Sequence, residues 1–338
     1  MSRDEEACVP EPIDPAFPLE RVRDAGAAII DAVSTVIDGK TDAIRTALTV
    51  MLAEGHLLVE DVPGVGKTVL AKALGATVGG TVTRIQFTSD MLPSDVTGVN
   101  IFDQSSATFR FSPGPVFANV VIGDEINRTS PKTQSALLEA MAEAQVTVDG
   151  VTRQLESPFM IVATQNPIDM EGTYPLPEAQ RDRFMARIAM GYPGVDAERQ
   201  MLSNRGGGDP LSRLRPIVDV ATLRGIIHAV RTVHLAPDVE AYIVAIVRAT
   251  RTHPDLVLGA SPRATLHLAQ AARAYAALLG RPFVTPDDVA ALAPIVLAHR
   301  LVPVARGLGG SGDDTVRDIV VRIVSDTAVP FTATPVRS

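Results

Sequence analysis

Cys8 is the only cysteine among 338 residues, so no disulfide can form within the chain and no thiolate cluster can hold zinc. That fits a reducing cytoplasm. Tryptophan is absent and aromatic residues amount to 4%, which leaves no sign of a base-stacking platform for single-stranded nucleic acid. Basic charge is also short. The 31 Lys and Arg face 39 Asp and Glu, and the net charge of −8 opposes broad contact with a phosphate backbone. Nucleic acid is therefore the disfavoured partner, although a local basic patch can survive a negative total. Long apolar runs are missing too: the longest, Val289 to Ala298, contains Pro294 and falls short of the ~18 residues that a membrane span needs. At the N-terminus, Arg3-Asp4-Glu5-Glu6 is followed by Pro10, Pro12, Pro15 and Pro18, where a signal peptide would carry an apolar stretch behind a basic start. Residues 1–20 read as a flexible arm, and the expected location is cytoplasmic.

Apolar residues make up 46% of the chain, ample for a core, and the length predicts two domains. A helical spacing of Val22, Ala25, Ile29, Val33, Val36 and Ile37 predicts a helix over Arg21 to Asp38, stopped by Gly39. Up to about Tyr192, short apolar strands alternate with helices. The predicted strands are His56 to Glu60, Thr83 to Phe87, Val120 to Ile122, Phe159 to Thr164 and Arg187 to Met190, and this rhythm implies a parallel sheet flanked by helices. One predicted helix has Ser130 as its cap, Pro131 in its first turn and Leu137, Leu138, Met141 and Ala144 on its apolar face. Asp149-Gly150 then marks a two-residue hairpin within Val146 to Leu155. Past the loop Gly206 to Pro210 the patterns turn helical. Ser261-Pro262 begins a helix with Leu268, Ala272, Tyr275 and Leu279 on one face, and Thr285-Pro286 begins another that Pro294 should kink or end.

Behind the first predicted strand stands Asp61-Val62-Pro63-Gly64-Val65-Gly66-Lys67-Thr68, then Val69 and an apolar helix pattern. Strand, glycine turn, helix is the setting of a phosphate-binding P-loop, in which successive backbone amides and a helix N-terminus face phosphate. Lys67 can reach the β- and γ-phosphates and the Thr68 hydroxyl can ligate Mg²⁺. Asp61 stands where the strict pattern has glycine, so its carboxylate must turn away from the phosphates. A bare Gly-Lys-Thr would be an ordinary turn with a surface lysine; the strand before it favours the P-loop. Val120 to Gly123 then delivers Asp124 and Glu125 to a strand end, where open α/β sheets bind ligands. Asp124 can hold the Mg²⁺ water shell and Glu125 can polarise an attacking water. Seen alone, such a pair is more often a solvated loop. A third strand ends in Gln165-Asn166-Pro167, where Asn166 is either a water-orienting amide or a turn residue. Six histidines, at 56, 228, 234, 253, 267 and 299, form no clear ligand constellation.

The ordered set of P-loop, Asp124-Glu125-Ile126-Asn127-Arg128, Thr164-Gln165-Asn166-Pro167, Glu171 to Gln180 and Asp182-Arg183-Phe184 resembles the MoxR family of AAA+ ATPases over roughly Arg21 to Val302. The resemblance implies an α/β P-loop core with a smaller all-α lid, expected at 21–192 and 193–330, with a tail at 331–338. It places Asn166 at sensor 1, Arg183 at an arginine finger that completes a neighbour's site, and Arg263 at the sensor 2 arginine of the lid. Without it, both arginines would be ordinary helix-surface residues. Arg181 stands where the family usually has an apolar residue. Residues 95–117 resemble the family's helix-2 insertion and 146–155 the hairpin before sensor 1, elements that couple nucleotide state to a partner; as bare sequence they are equally packing loops.

The main reading is a ring-forming ATPase, a hexamer by family expectation, that spends ATP with Mg²⁺ on chaperone-like remodelling, maturation or metal-loading of another protein. The family commonly pairs with proteins carrying a von Willebrand factor A domain. The rivals are an ATP-dependent regulatory switch with incidental turnover, a nucleic-acid motor of the same AAA+ branch and, ranked below both, the motor subunit of a metal chelatase.

Overall fold

A computed structural model describes residues 17–62, 64–166, 174, 176–203, 209–304 and 312–329. The helices are α1 (Leu19–Ser34), α2 (Thr41–Leu52), α3 (Lys67–Thr77), α4 (Pro93–Thr97), α5 (Pro131–Glu143), α6 (Glu178–Arg181), α7 (Val195–Ser203), α8 (Val220–Arg231), α9 (Pro237–Thr252), α10 (Pro262–Leu278), α11 (Pro286–Leu297) and α12 (Gly312–Asp326). The strands are β1 (Leu57–Glu60), β2 (Val82–Gln86), β3 (Gly98–Asp103), β4 (Thr108–Pro113), β5 (Val120–Asp124), β6 (Gln145–Val148), β7 (Val151–Gln154), β8 (Met160–Gln165), β9 (Ala186–Ile188), β10 (Leu256–Leu258) and β11 (Val302–Pro303).

Five strands make one parallel sheet in the order β2-β5-β8-β1-β9. Every strand but the edge strand β9, whose Ala186 and Ile188 share one face, carries apolar residues on both faces, as a sheet covered on both sides requires. The alternation is visible in the packing: Leu57, Val59, Val120, Ile122, Met160 and Val162 enter one cluster, whereas Leu58, Val121, Ile161 and Ala163 enter the other. The first cluster also takes in α1, α2, α3 and the helices from α8 to α12, so that the helical lid closes over one face of the sheet. The second is built around α5, Phe87 and Phe184.

Two antiparallel hairpins break the rhythm, β3–β4 and β6–β7. The second turns at Asp149 and Gly150, both at positive φ (50° and 78°), the geometry of a type I′ turn that matches strand twist. Asn100 Nδ2 donates to Asp149 Oδ2 at 2.7 Å and ties the two hairpins together.

Several expectations need correction: Ala144, expected on the apolar face of α5, is its exposed cap beyond Glu143, and α1 ends at Ser34 rather than Asp38. Helix α1 starts at Leu19, ahead of Arg21, and Phe17 already packs against the core with Arg21 over its ring. Helix α11 runs through Pro294 to Leu297; Val289, Leu292, Ala293, Val296 and Leu297 around it are buried, so packing outweighs the hydrogen bond that the proline forfeits. Leu279 caps α10 half-exposed, off the buried face formed by Leu268 and Ala272. The Gly206 to Gly208 loop and the 331–338 tail lie outside the described residues.

Candidate active site

The strand order decides which loops meet. Because β1 lies beside β8, and β8 beside β5, the segments after Glu60, Gln165 and Asp124 leave the sheet side by side. Gly64, Lys67, Thr68, Arg84, Gln86, Asp124, Glu125, Thr164 and Asn166 accordingly line one cleft of about 230 Å³.

Gly64 (φ 86°) and Gly66 (φ 94°) take the left-handed conformation that lets the loop wrap inward. Gly66 caps α3, whose first residue is Lys67, so the amides of Val65, Thr68 and Val69 belong to the loop and the opening turn of that helix. Pro63 lies outside the described residues. Lys67 Nζ donates to the carbonyl of Asp61 and, at 3.3 Å, to that of Gln165. Partial burial lowers its pKa from the usual lysine range, opposed by the charges of Asp61, Asp124, Glu125 and Glu60. Asp61 does turn away from the phosphate side: Oδ1 accepts from Val62 N at 2.7 Å, and Oδ2 accepts from Met190 N and Gly191 N at 2.6 and 2.5 Å. The carboxylate therefore staples the start of the P-loop to the end of β9.

Asp124 is buried at the end of β5. Thr68 Oγ1 lies 3.1 Å from each of its carboxylate oxygens, Thr164 Oγ1 donates to Oδ1 at 3.2 Å, and Arg84 Nε reaches Oδ2 at 2.6 Å. A hydroxyl and a carboxylate side by side at the mouth of a phosphate loop are the hard oxygen donors that Mg²⁺ takes together with water and phosphate, so Thr68 and Asp124 fit that ion. Glu125 stands in the left-handed region (φ 57°, ψ 50°), a conformation that costs a non-glycine residue about 1–2 kcal/mol. It is locked there by its own amide on Thr164 Oγ1 at 3.0 Å and by Gln86 Nε2 and Arg128 Nε on its Oε2, at 3.0 and 3.1 Å.

Arg84 and Gln86 escaped the sequence reading. They sit two apart on β2, the edge strand, so they share one face, and Arg84 Nη2 donates to Gln86 Oε1 at 2.9 Å. The available signal was the pair of polar residues at alternate positions in a strand read as core. Arg183 and Arg263 do not line the cleft. Helix α6 ends at Arg181, so Arg183 lies in the turn beyond it. Arg181 pairs with Glu178 at 3.6 Å; Arg183 Nη1 donates to Ala179 O at 3.4 Å, and its buried Nε has no partner among the described residues. Arg263, near the start of α10, lies 3.7 Å from Asp182.

A phosphate loop, an acidic strand end and a helical lid on one parallel sheet define the AAA+ class of P-loop ATPases. The family model described as "ATPase family associated with various cellular activities (AAA)" matches residues 56–186, and that of the AAA lid domain matches residues 248–319. The chain is 47% identical to the uncharacterised YeaC protein of Bacillus subtilis over 91% of its length and 96% of that protein's. It is 41% identical to Chaperone MoxR1 of Mycobacterium tuberculosis, covering 88% of this chain and 80% of that one, and 33% identical to Protein MoxR of Methylorubrum extorquens, covering 82% and 88%. A crystal structure from Cytophaga hutchinsonii, described as a candidate ATPase, superposes with a TM-score of 0.84 at 34% identity over 93% of this chain and 97% of its own. The chain belongs to the MoxR family of AAA+ ATPases.

Proposed function

We propose that the protein is a ring-forming motor that hydrolyses Mg-ATP to remodel, mature or metal-load a partner protein in the cytoplasm. The observation that carries this is the convergence of Lys67, Thr68, Asp124, Glu125 and Asn166 on one cleft at the carboxyl ends of three adjacent strands.

In this reading the amides from Gly64 to Val69, with Pro63 heading the loop, cradle the phosphates, and Lys67 holds the β- and γ-oxygens. Thr68 and Asp124 hold Mg²⁺, which when bound neutralises charge growing on those oxygens. Glu125 accepts the proton of the attacking water and Asn166 orients that water. Gln86 and Arg128, which grip one oxygen of Glu125, set the direction of its carboxylate. Arg263 touches the nucleotide from the lid, and Arg183 reaches into the next subunit of a hexamer, each neutralising γ-phosphate charge.

The partner reading is supported by the two linked hairpins. Ile101, Phe102, Phe109 and Val151 are each at least half exposed, with the Phe102 and Phe109 rings packed edge to face at 5.3 Å. An apolar patch displayed on a hairpin suits a protein partner. The name Chaperone MoxR1 agrees with that, and a protein with a von Willebrand factor A domain is the first partner to try.

The test is Glu125→Gln. The variant should bind ATP as the wild type does and lose turnover by roughly 10²- to 10⁴-fold, read by nucleotide binding and phosphate release. Turnover at the wild-type rate would remove Glu125 from the chemistry.

A further inference from the structure

The segment that carries Arg183 is gripped by the lid on both sides. Before it, Asp182 Oδ1 accepts from Ser261 Oγ at 2.7 Å and from Arg300 Nη1 at 3.1 Å, while Oδ2 faces Arg263 Nη1 at 3.7 Å. After it, the carbonyl of Phe184 accepts from Arg300 Nη2 at 2.6 Å and from His299 Nε2 at 2.9 Å, and that of Met185 accepts from Arg300 Nη2 at 3.3 Å. The Arg300 side chain is 1% exposed and its Nη2 also lies 2.6 Å from His267 Nδ1 of α10. Phe184 and Met185 are themselves buried, one in each core cluster. Arg183 is thus a half-buried residue between neighbours that the lid holds on both sides.

Three of those ties differ in strength. Ser261 caps α10 with the same hydroxyl that donates to Asp182, and Arg300 is fixed by burial. The Arg263 pair is longer than a charge-assisted hydrogen bond of about 2.7–2.9 Å, and that side chain is 43% exposed. Arg263 is the partner that a γ-phosphate can draw away. Ser261 lies two residues before it, so any shift of the α10 N-terminus toward nucleotide is transmitted through Ser261 to Asp182.

We infer that Asp182 is a positioning residue through which the lid aims Arg183, so that the nucleotide state of one subunit reaches the active site of the next. This rests on the reading of Arg183 as a finger acting across an interface. Asp182 touches no reacting atom; it acts by holding the backbone on which Arg183 stands.

ATP turnover of Asp182→Asn, Arg183→Ala and Glu125→Gln is measured alone, and each of the first two is then mixed with the third. Asp182→Asn should bind ATP within about two-fold of wild type and turn over roughly 10- to 100-fold more slowly, the scale of a misplaced catalytic group. Mixing with Glu125→Gln should restore turnover, because an intact Asp182 and Arg183 then face an intact Glu125 across the interface. If the Asp182→Asn mixture stays inactive while the Arg183→Ala mixture recovers, Asp182 serves its own site; the proposal falls and the finger stands. No recovery in the Arg183→Ala mixture defeats the finger reading and the proposal with it. Should Asp182→Asn fail to fold, Ser261→Ala, which deletes the 2.7 Å tie and the α10 cap but leaves the buried Arg300 partner of Asp182 in place, enters the same mixtures, and wild-type turnover of that variant alone overturns the proposal.

Discussion

At the residue scale, the departure at Asp61 shows how a locally unfavourable choice is absorbed. A carboxylate next to a phosphate site is repulsive, yet here it accepts three backbone amides and leaves only its carbonyl facing Lys67. Asp61→Ala should therefore destabilise the fold by about 2–3 kcal/mol, since charged acceptors contribute roughly 1.5–3 kcal/mol and the buried donors are left unpaired. A urea melt reads this, and an unchanged midpoint would mean that the staple is idle. That the Gly64 to Thr68 loop and the Asp124-Glu125 pair meet in one cleft was legible because each follows an apolar strand of one parallel sheet, although either pattern alone is an ordinary turn or loop. Arg84, Gln86 and Asp182 were not, because their roles depend on partners 40, 39 and 79 residues away, and nothing local marks a surface arginine as one that will reach a buried aspartate.

At the scale of elements, all five core strands were legible from apolar runs, with ends shifted by one or two residues, as hydrogen-bond ladders rather than hydropathy set the limits. Pro294 does not end α11, because local propensity is weaker than burial in a packed helix. The histidines, scattered in sequence, turn out to stitch elements together. His56 Nδ1 accepts from Ile161 N of β8 and Nε2 donates to Met141 O of α5, while His299 and His267 meet Arg300 and Phe184. Burial lowers the pKa of His56 to about 4; burial, then the Arg300 charge, lowers that of His267 to about 3 and pushes His299 well below its ordinary value. The folded state thus holds these rings neutral where the unfolded chain, at about 6.5, binds protons. Their contribution is complete above pH 6.5 and is lost as pH falls toward 4 and 3, at up to about 1.4 kcal/mol per pH unit for each ring. Unfolding free energy measured between pH 7.5 and 4.5 should fall more steeply for wild type than for His56→Gln; parallel curves would contradict the assignment.

At the scale of the whole molecule, the proposed function has the cleft of one chain completed by a second. Lys67, Thr68, Asp124, Glu125 and Asn166 line it, but Arg183 stands outside it, on a segment anchored to the lid. The architecture of core and lid was legible from the change of periodicity along the chain; that the lid grips the Arg183 segment was not, because it follows from packing between residues more than a hundred positions apart. The most direct test of a shared site is steady-state Mg-ATP turnover per subunit across a wide range of protein concentration. The account predicts that turnover per subunit rises with concentration and levels off as assembly completes. Turnover that is the same at every concentration while sedimentation shows only monomer would contradict it.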